Sequence, residues 1–165
     1  MGVFIPLHLN RCHYRGPVLL IAAAACLSLA LYHEARGESR LGQLMVAKVI
    51  VNRVASRRWP SSMCNVITQD RQFSFYRKGN APKPRDEVAW SKAQKLAVEI
   101  INDPDILPYT LADHYHTVNV RPVWRRKLYR IARVGSHVFY SYDQPAAIEV
   151  SIRPKKRPTY LLDPT

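Results

Sequence analysis

The sequence predicts a mainly helical domain over about residues 27 to 142, with a short extended piece near its C-terminal end. Three observations carry that reading. Apolar residues recur at three- and four-residue steps in separate stretches, the signature of helices with a buried face. Proline and glycine punctuate the stretches between them. A hydrophobic content of 47% in 165 residues is enough for the core of a single domain.

Near the start of the chain, Arg11, His13 and Arg15 precede an apolar run from Pro17 to Tyr32, PVLLIAAAACLSLALY. A basic region followed by a hydrophobic one has the layout of an export signal. The run is shorter than the ~20 residues of a usual membrane span and rich in alanine. It reads as a signal peptide cleaved around Ala23-Ala24-Ala25, as an uncleaved anchor, or as the buried first helix of a cytosolic domain. A lipoprotein ending at Cys26 fits less well, because Ala23 stands where such a signal wants a larger aliphatic residue. Residues 1–26 are therefore expected to form a signal or anchor that overlaps the first helix.

From Leu27 to Ala35 the pattern is helical, and Gly37 is placed to cap the C-terminus. Ser39 is placed to cap a second helix, with Leu41, Leu44, Met45, Val49 and Val54 on one stripe. Val46, Ala47, Ile50 and Val51 widen the stripe, so this helix should be buried on most sides and end near Arg57-Arg58. Residues 60 to 89 carry Pro60, Gly79, Pro82 and Pro84 and read as loops with short helical turns. A third helix fits Glu87 to Asn102, with Trp90, Ala93, Leu96, Ala97, Ile100 and Ile101 on one face, ended by Asp103-Pro104. A short helix is expected around Leu128 and Ile131, and an extended piece over His137 to Tyr142. Residues 143–165 form a basic, proline-broken tail.

Lys and Arg outnumber Asp and Glu by 25 to 12, a formal charge of +13 with a pI near 10.1. Such a surface attracts polyanions: nucleic acid, anionic lipid or bacterial wall. Arg57-Arg58, Arg125–Lys127 and Lys155-Lys156-Arg157 suit nucleic acid, but no helix-turn-helix, zinc-finger or RNA-recognition signature accompanies them. The cysteines, Cys12, Cys26 and Cys64, have no metal-knuckle spacing. With Cys12 and Cys26 counted in the leading segment, Cys64 is left alone, and no internal disulfide framework is expected.

Glu34 lies at the end of an apolar helix, where burial against Ala30 and Leu31 raises a carboxyl pKa and keeps it protonated for general acid work. The competing reading is a surface glutamate paired with Arg36 or Arg40. Glu38, four residues on, is expected to hold the turn or the start of the second helix. Asp70 is the other carboxylate near the loops. His114 and His116, two apart on a strand, point the same way, and a metal is conceivable with Asp113 or His137. They lack a full ligand set, so shaping a sugar groove is the preferred role; neither metal nor cofactor is expected. Gln69, Gln72 and Ser74 suit amide and hydroxyl recognition. Trp59, Phe73, Tyr115, Trp124 and Tyr140 supply rings that stack on sugars or fill the core.

Taken in order, four stretches resemble the SleB-type cell wall hydrolases, the spore-cortex-lytic family, whose relatives include phage lysis proteins. The first is LALYHEARGES with LGQLMVAKVIVNRV; the second is Pro60, CNVITQ and QFS; the third is DHYHTVNVRPVW; the fourth is GSHVFY. The resemblance covers most of residues 27 to 141. It implies a compact α+β, lysozyme-like domain akin to lytic transglycosylases. It puts the catalytic glutamate on Glu34 and the substrate groove on Gln72, Phe73, Ser74, Tyr115, His116 and Trp124. Leu111, Ala112 and Asp113 depart from the family's small residue and Thr before the HYH run.

The resemblance further implies cleavage between N-acetylmuramic acid and N-acetylglucosamine in peptidoglycan. With no evident second carboxylate, a transglycosylase leaving 1,6-anhydro-muramyl ends is expected ahead of a hydrolytic muramidase or glucosaminidase. The alternatives of another class are a basic, non-catalytic wall-binding protein and a nucleic-acid-binding protein. The expected setting is a monomer exported to the periplasm or envelope, transiently anchored through its apolar segment and concentrated on an anionic wall or membrane surface.

Overall fold

Helix α1 (Pro17–Ala35) is the spine of the molecule, and α4 (Glu87–Asn102) lies along it. The computed structural model describes residues 17–77 and 79–145. Between these two helices in sequence come α2 (Arg40–Ala55) and the short α3 (Met63–Ile67). A small antiparallel sheet follows, with β1 (His114–Thr117), β2 (Tyr129–Val134) and β3 (His137–Ser141) in the order β1-β3-β2. The fold is mixed α+β and mostly helical. Arg11, His13, Arg15, Cys12 and the tail beyond residue 145 lie outside the described residues.

Pro17 suits the first turn of α1, where its missing N–H is not needed. The helix buries Ala23, Leu27, Ala30, Leu31 and Ala35 at three- and four-residue steps. Full burial of a leucine is worth about 1.5–3 kcal/mol. Upstream, Val18 and Ile21 are exposed. The helix runs without a break across residues 26 and 27, and Ala23 already belongs to the core.

The cysteines differ from expectation. Cys26 is bonded to Cys64, with their Cα atoms 5.3 Å apart. The leading apolar segment is also a domain helix, and packing α1 against α3 brings the two thiols together. Gly37 also differs from expectation, since it does not take the left-handed conformation of a helix-capping glycine. The end of α1 is closed instead by polar groups of the next turn. The Glu38 N–H donates to the Ala35 carbonyl at 3.0 Å, and Gln43 Nε2 donates to the same carbonyl at 3.3 Å.

Ser39 caps α2 as expected, its hydroxyl accepting from the Gly42 N–H at 3.3 Å. Helix α2 is buried on most sides and ends at Ala55, slightly before the arginine pair. The predicted bounds of α4 hold, with Asp86 accepting from the Ala89 N–H at 2.9 Å. The expected short helix at Leu128–Ile131 is a strand. Arg130 and Arg133 flank Ile131 and Ala132 in β2, and a bulge interrupts the pairing between Arg130 and Ala132. A single 3-10 turn, Val123–Arg126, precedes it. Strands β2 and β3 are joined through Gly135 and Ser136; Gly135 has φ +56°, and a Cβ there would run into Glu38.

Two apolar clusters result. One fills the space among α1, α2, α3 and α4; the other, with Met45, Val46, Val49 and Phe139, lies between α2 and the sheet. Tyr115 packs against both.

Candidate active site

Glu34 sits in the last turn of α1, flanked in sequence by buried Ala35 and half-buried His33. Its carboxyl is largely removed from water, and burial pushes its pKa above the ordinary carboxylate range. The Tyr115 hydroxyl, and to a smaller degree the nearby Ser74 hydroxyl, oppose part of that shift. The Tyr115 hydroxyl donates to Glu34 Oε2 at 3.2 Å. Burial, and then the negative charge of Glu34, hold the Tyr115 hydroxyl far above its usual pKa, so it remains a donor.

The ion pairs that would have made Glu34 an ordinary surface residue are absent among the described residues. Arg40 is engaged by Glu99 at 2.6 Å, and the Arg36 guanidinium lies over the Tyr32 ring, 4.8 Å from its centroid. Of three further carboxylates, Glu38 and Asp113 are engaged in hydrogen bonds and Asp70 is exposed. Glu38 accepts from the backbone N–H and hydroxyl of Ser136 and stands 3.4 Å from His137 Nδ1. It ties the β2–β3 turn to the start of α2, close to the expected role of holding the turn. Asp113 accepts from His114 Nδ1 at 2.7 Å and from the Tyr142 N–H at 3.1 Å. Asp70 is exposed beside Arg71.

Tyr115 is held in place by a buried arginine that sequence reasoning misses. Asn52 Nδ2 donates to the carbonyls of Thr110 and Ala112, each at 2.8 Å, and Arg53 Nε donates to that of Asp113 at 2.7 Å. These bonds pin the chain that enters β1. The Arg53 guanidinium lies 4.3 Å from the centroid of Trp59, a cation–π contact worth up to about 2 kcal/mol when desolvated. The available signal is an Asn-Arg pair inside a helix otherwise expected to be buried on most sides.

Alternation along β1 divides the predicted groove residues between two faces. Tyr115 points to Glu34, and its ring meets His137 and Phe139. His114 and His116 point the other way, into a continuous group of rings with Trp59, Trp124 and Tyr140, neighbouring centroids lying 5.3–5.8 Å apart. His116 Nδ1 donates to the Thr117 carbonyl at 2.7 Å, leaving Nε2 to accept from the Tyr140 hydroxyl at 3.1 Å. Among the described residues no three His, Cys, Asp or Glu converge as metal ligands.

The structure therefore brings Ser74 and Tyr115 to Glu34 and gathers His116 with Trp124 on the other face of β1. Gln72 is half-buried on the loop after α3. Phe73 departs from the expected groove role: at 2% exposure it belongs to the core, where it carries the Phe75 ring and the Arg53 guanidinium. Phe75, not singled out as a site residue, stacks on His33 with centroids 4.7 Å apart, and His33 Nε2 donates to the Pro82 carbonyl at 3.0 Å.

Comparison with known proteins identifies the family and the fold. The family described as Cell Wall Hydrolase matches residues 37–140, a stretch beginning just after Glu34. A spore cortex-lytic enzyme of Bacillus cereus is 34% identical over 113 residues, covering 67% of this chain and 40% of that protein. Its counterpart from Bacillus subtilis is 32% identical over 116 residues, covering 68% of this chain and 35% of that protein. The chain thus spans two fifths or less of these two curated relatives. Among solved structures, the catalytic domain of the germination-specific lytic transglycosylase SleB from Bacillus anthracis superposes with a TM-score of 0.58 at 28% identity. That match covers 83% of this chain and 100% of the SleB chain. The catalytic domain of the Bacillus cereus SleB protein gives 0.57 at 32% identity, covering 72% of this chain and 89% of that one.

Proposed function

The chain belongs to the cell wall hydrolase family, and from that premise we propose that it cleaves the MurNAc–GlcNAc bond of peptidoglycan with Glu34 as its acid and base. One observation carries the reading: a desolvated carboxyl at a helix end, without a cationic partner among the described residues, held by a tyrosine hydroxyl. Such a group is protonated at a pH where ordinary carboxylates are not, and can deliver its proton to a glycosidic oxygen. As the bond to that oxygen breaks, positive charge develops at the muramic anomeric carbon, beside a carboxylate that has just become negative.

The resulting oxocarbenium-like species needs a nucleophile. A hydrolase supplies water through a second carboxylate, or forms a covalent intermediate on one. Glu38 and Asp113 are both occupied with structural hydrogen bonds, and Asp70 is exposed beside Arg71. We therefore infer a lytic transglycosylase: the muramic C6 hydroxyl attacks its own anomeric carbon, and Glu34 takes up the proton that the hydroxyl loses. The bond to the leaving sugar breaks, the 1,6-anhydro bond forms, and no water is consumed. The Bacillus anthracis relative is itself a lytic transglycosylase, which supports the same chemistry. Mass spectrometry of digested sacculi tests it. Anhydro-muramyl ends are expected; products heavier by one water would replace this reading with the hydrolytic one.

Export is part of the same proposal. A disulfide between Cys26 and Cys64 suits an oxidising compartment, and the 18-residue window Val18–Ala35 is long and apolar enough to enter a membrane by composition. The same helix supplies Leu27, Leu31 and Glu34 to the folded domain. A form anchored through this segment would hold the catalytic helix away from its packing partners and should be inactive until released. Fractionation with N-terminal sequencing tests this; wall-lytic activity from a protein still inserted through residues 18–35 would overturn it.

A further inference from the structure

Arg53 carries a charge inside the protein that packing alone does not require. It is 5% exposed, yet no carboxylate lies within ion-pair distance of it among the described residues. The carboxyl that acts on it from farther away, that of Asp113, already accepts from His114 Nδ1 and the Tyr142 N–H. Arg53 Nε donates to the Asp113 carbonyl at 2.7 Å, while Nη1 is buried with no hydrogen-bond partner among the described residues. The rings of Trp59 and Phe73 cover the guanidinium, with centroids 4.3 and 5.7 Å away. Burial opposes the charge, but an arginine keeps its proton in such surroundings. An apolar side chain of similar length fills a space of this kind at lower free-energy cost. The charge is therefore explained by what it acts on.

Its target is the phenol of Tyr115. The bond from Arg53 to Asp113 holds the chain two residues before Tyr115, whose hydroxyl donates to Glu34 Oε2 at 3.2 Å. Burial and the charge of Glu34 raise the Tyr115 pKa, and the charge of Arg53 opposes them. The other titratable group against that ring among the described residues is His137 on β3, with centroids 5.1 Å apart. Burial lowers the His137 pKa, so it is neutral on the alkaline side. Ser74, which also reaches Glu34, carries no charge. A cation near a phenol makes its hydroxyl a stronger donor. Resting on the reading of Glu34 as acid and base, we propose that Arg53 is a positioning residue for the reaction: acting through the Tyr115 hydroxyl, its charge stabilises the Glu34 carboxylate. That carboxylate exists between two proton transfers, after Glu34 protonates the glycosidic oxygen and before it takes a proton from the muramic C6 hydroxyl. In a site largely removed from water, fixed protein groups supply the stabilisation that solvent would otherwise give. An ion pair made directly with Glu34 would hold it ionised and abolish the acid. A cation one hydrogen bond removed supports the ionised form and still leaves the proton on Glu34 in the resting enzyme.

Arg53→Gln separates charge from support, because glutamine Nε2 stands where arginine Nε does along the side chain and can still donate to the Asp113 carbonyl. The test is the pH–rate profile of the full chain on soluble peptidoglycan strands, for wild type, R53Q and R53K. In R53Q the alkaline fall in kcat is expected to move to higher pH, by less than in Y115F, with kcat lowered about three- to tenfold and KM unchanged. R53K keeps the charge without the Nε donor and should leave that limb in place. The R53Q/Y115F double variant should move it no farther than Y115F alone. A limb that stays in R53Q, or moves in R53K, would mean that Arg53 only supports the chain, and would overturn the proposal. Folding is checked by thermal unfolding. If R53Q does not fold, R53M is compared with R53K, since both lack the Nε donor and differ in charge; a limb at the same pH in both overturns the proposal. A limb that moves in Y115F but not in R53Q defeats the role of Arg53 alone, whereas wild-type cleavage by Glu34→Gln defeats the reading of Glu34 itself.

Discussion

The end of α1 and the turn that follows it carry two acids, Glu34 and Glu38, in opposite circumstances. Glu38 is saturated: a backbone N–H, a hydroxyl and an imidazole converge on it, and both Gly42 and Gly135 lack a Cβ where one would crowd it. Glu34, at the end of the helix, is largely removed from water, hydrogen-bonded by the Tyr115 hydroxyl, and left without a charge partner among the described residues. Side chains of one type, four residues apart, are divided into a structural tie and the group that we propose as the acid. What separates them is the set of groups that the sheet presents: the β2–β3 turn reaches Glu38, whereas β1 offers Glu34 a single phenol.

The largest effect that could break this comparison comes from Glu34→Gln. Removing a general acid while preserving shape should reduce wall lysis roughly a hundred- to ten-thousandfold, with wall binding and fold intact. Turbidity loss of sacculi suspensions measures it. Unchanged lysis would remove Glu34 from the centre of the mechanism. Next comes Glu38→Ala, which leaves the backbone N–H and hydroxyl of Ser136 without their acceptor. It should cost about 1–3 kcal/mol of folding stability by denaturant titration, while the folded molecules retain most of their lysis. A Glu38→Ala protein that is stable but inactive would reverse the two roles.

Tyr115→Phe sharpens the comparison by making Glu34 still less supported. The hydroxyl donates to the carboxylate and holds its pKa down, so its loss should raise that pKa further. A general acid fails as pH rises through its pKa. The alkaline fall in activity should therefore move to higher pH, while the maximal rate drops about tenfold from poorer positioning of the carboxyl. A pH–rate profile that keeps its alkaline limb would show that the two groups are not coupled.

Much of this arrangement is legible in the sequence, for a physical reason. Helices α2 and α4 announce themselves because each buries a long periodic face and carries a capping side chain, Ser39 or Asp86, at its start. Strand β2 does not, since its alternation is broken by a bulge and its exposed arginines read equally well on a helix. Glu34 is legible through its position at the end of an apolar helix and through the four ordered motifs. Its partner Tyr115 is legible as a site residue but not as the donor to Glu34, because that contact joins positions 81 apart. The Cys26–Cys64 bond is hidden because an export-like segment and a core helix share one composition, and Cys26 falls where the two overlap. Phe73 is misplaced because an aromatic in a loop motif looks the same whether its ring faces a sugar or the core.

The smallest effect is the most discriminating, because it reads the two acids through stability instead of activity. Glu34 has a higher pKa folded than unfolded, so between those two values the native state binds more protons than the unfolded chain. Stability contributed by this site must then fall as pH rises through that window, since the folded protein has to hold a desolvated negative charge. Below the unfolded pKa the group is neutral in both states and contributes no such penalty. Glutamine carries no proton to lose. The difference in unfolding free energy between Glu34→Gln and the wild type should thus shift in favour of the variant from acidic to neutral pH, as measured by denaturant titration at a series of pH values. A shift in the opposite direction would mean that the ionised carboxylate is stabilised by the fold, as a structural acid is, and the distinction between Glu34 and Glu38 would collapse.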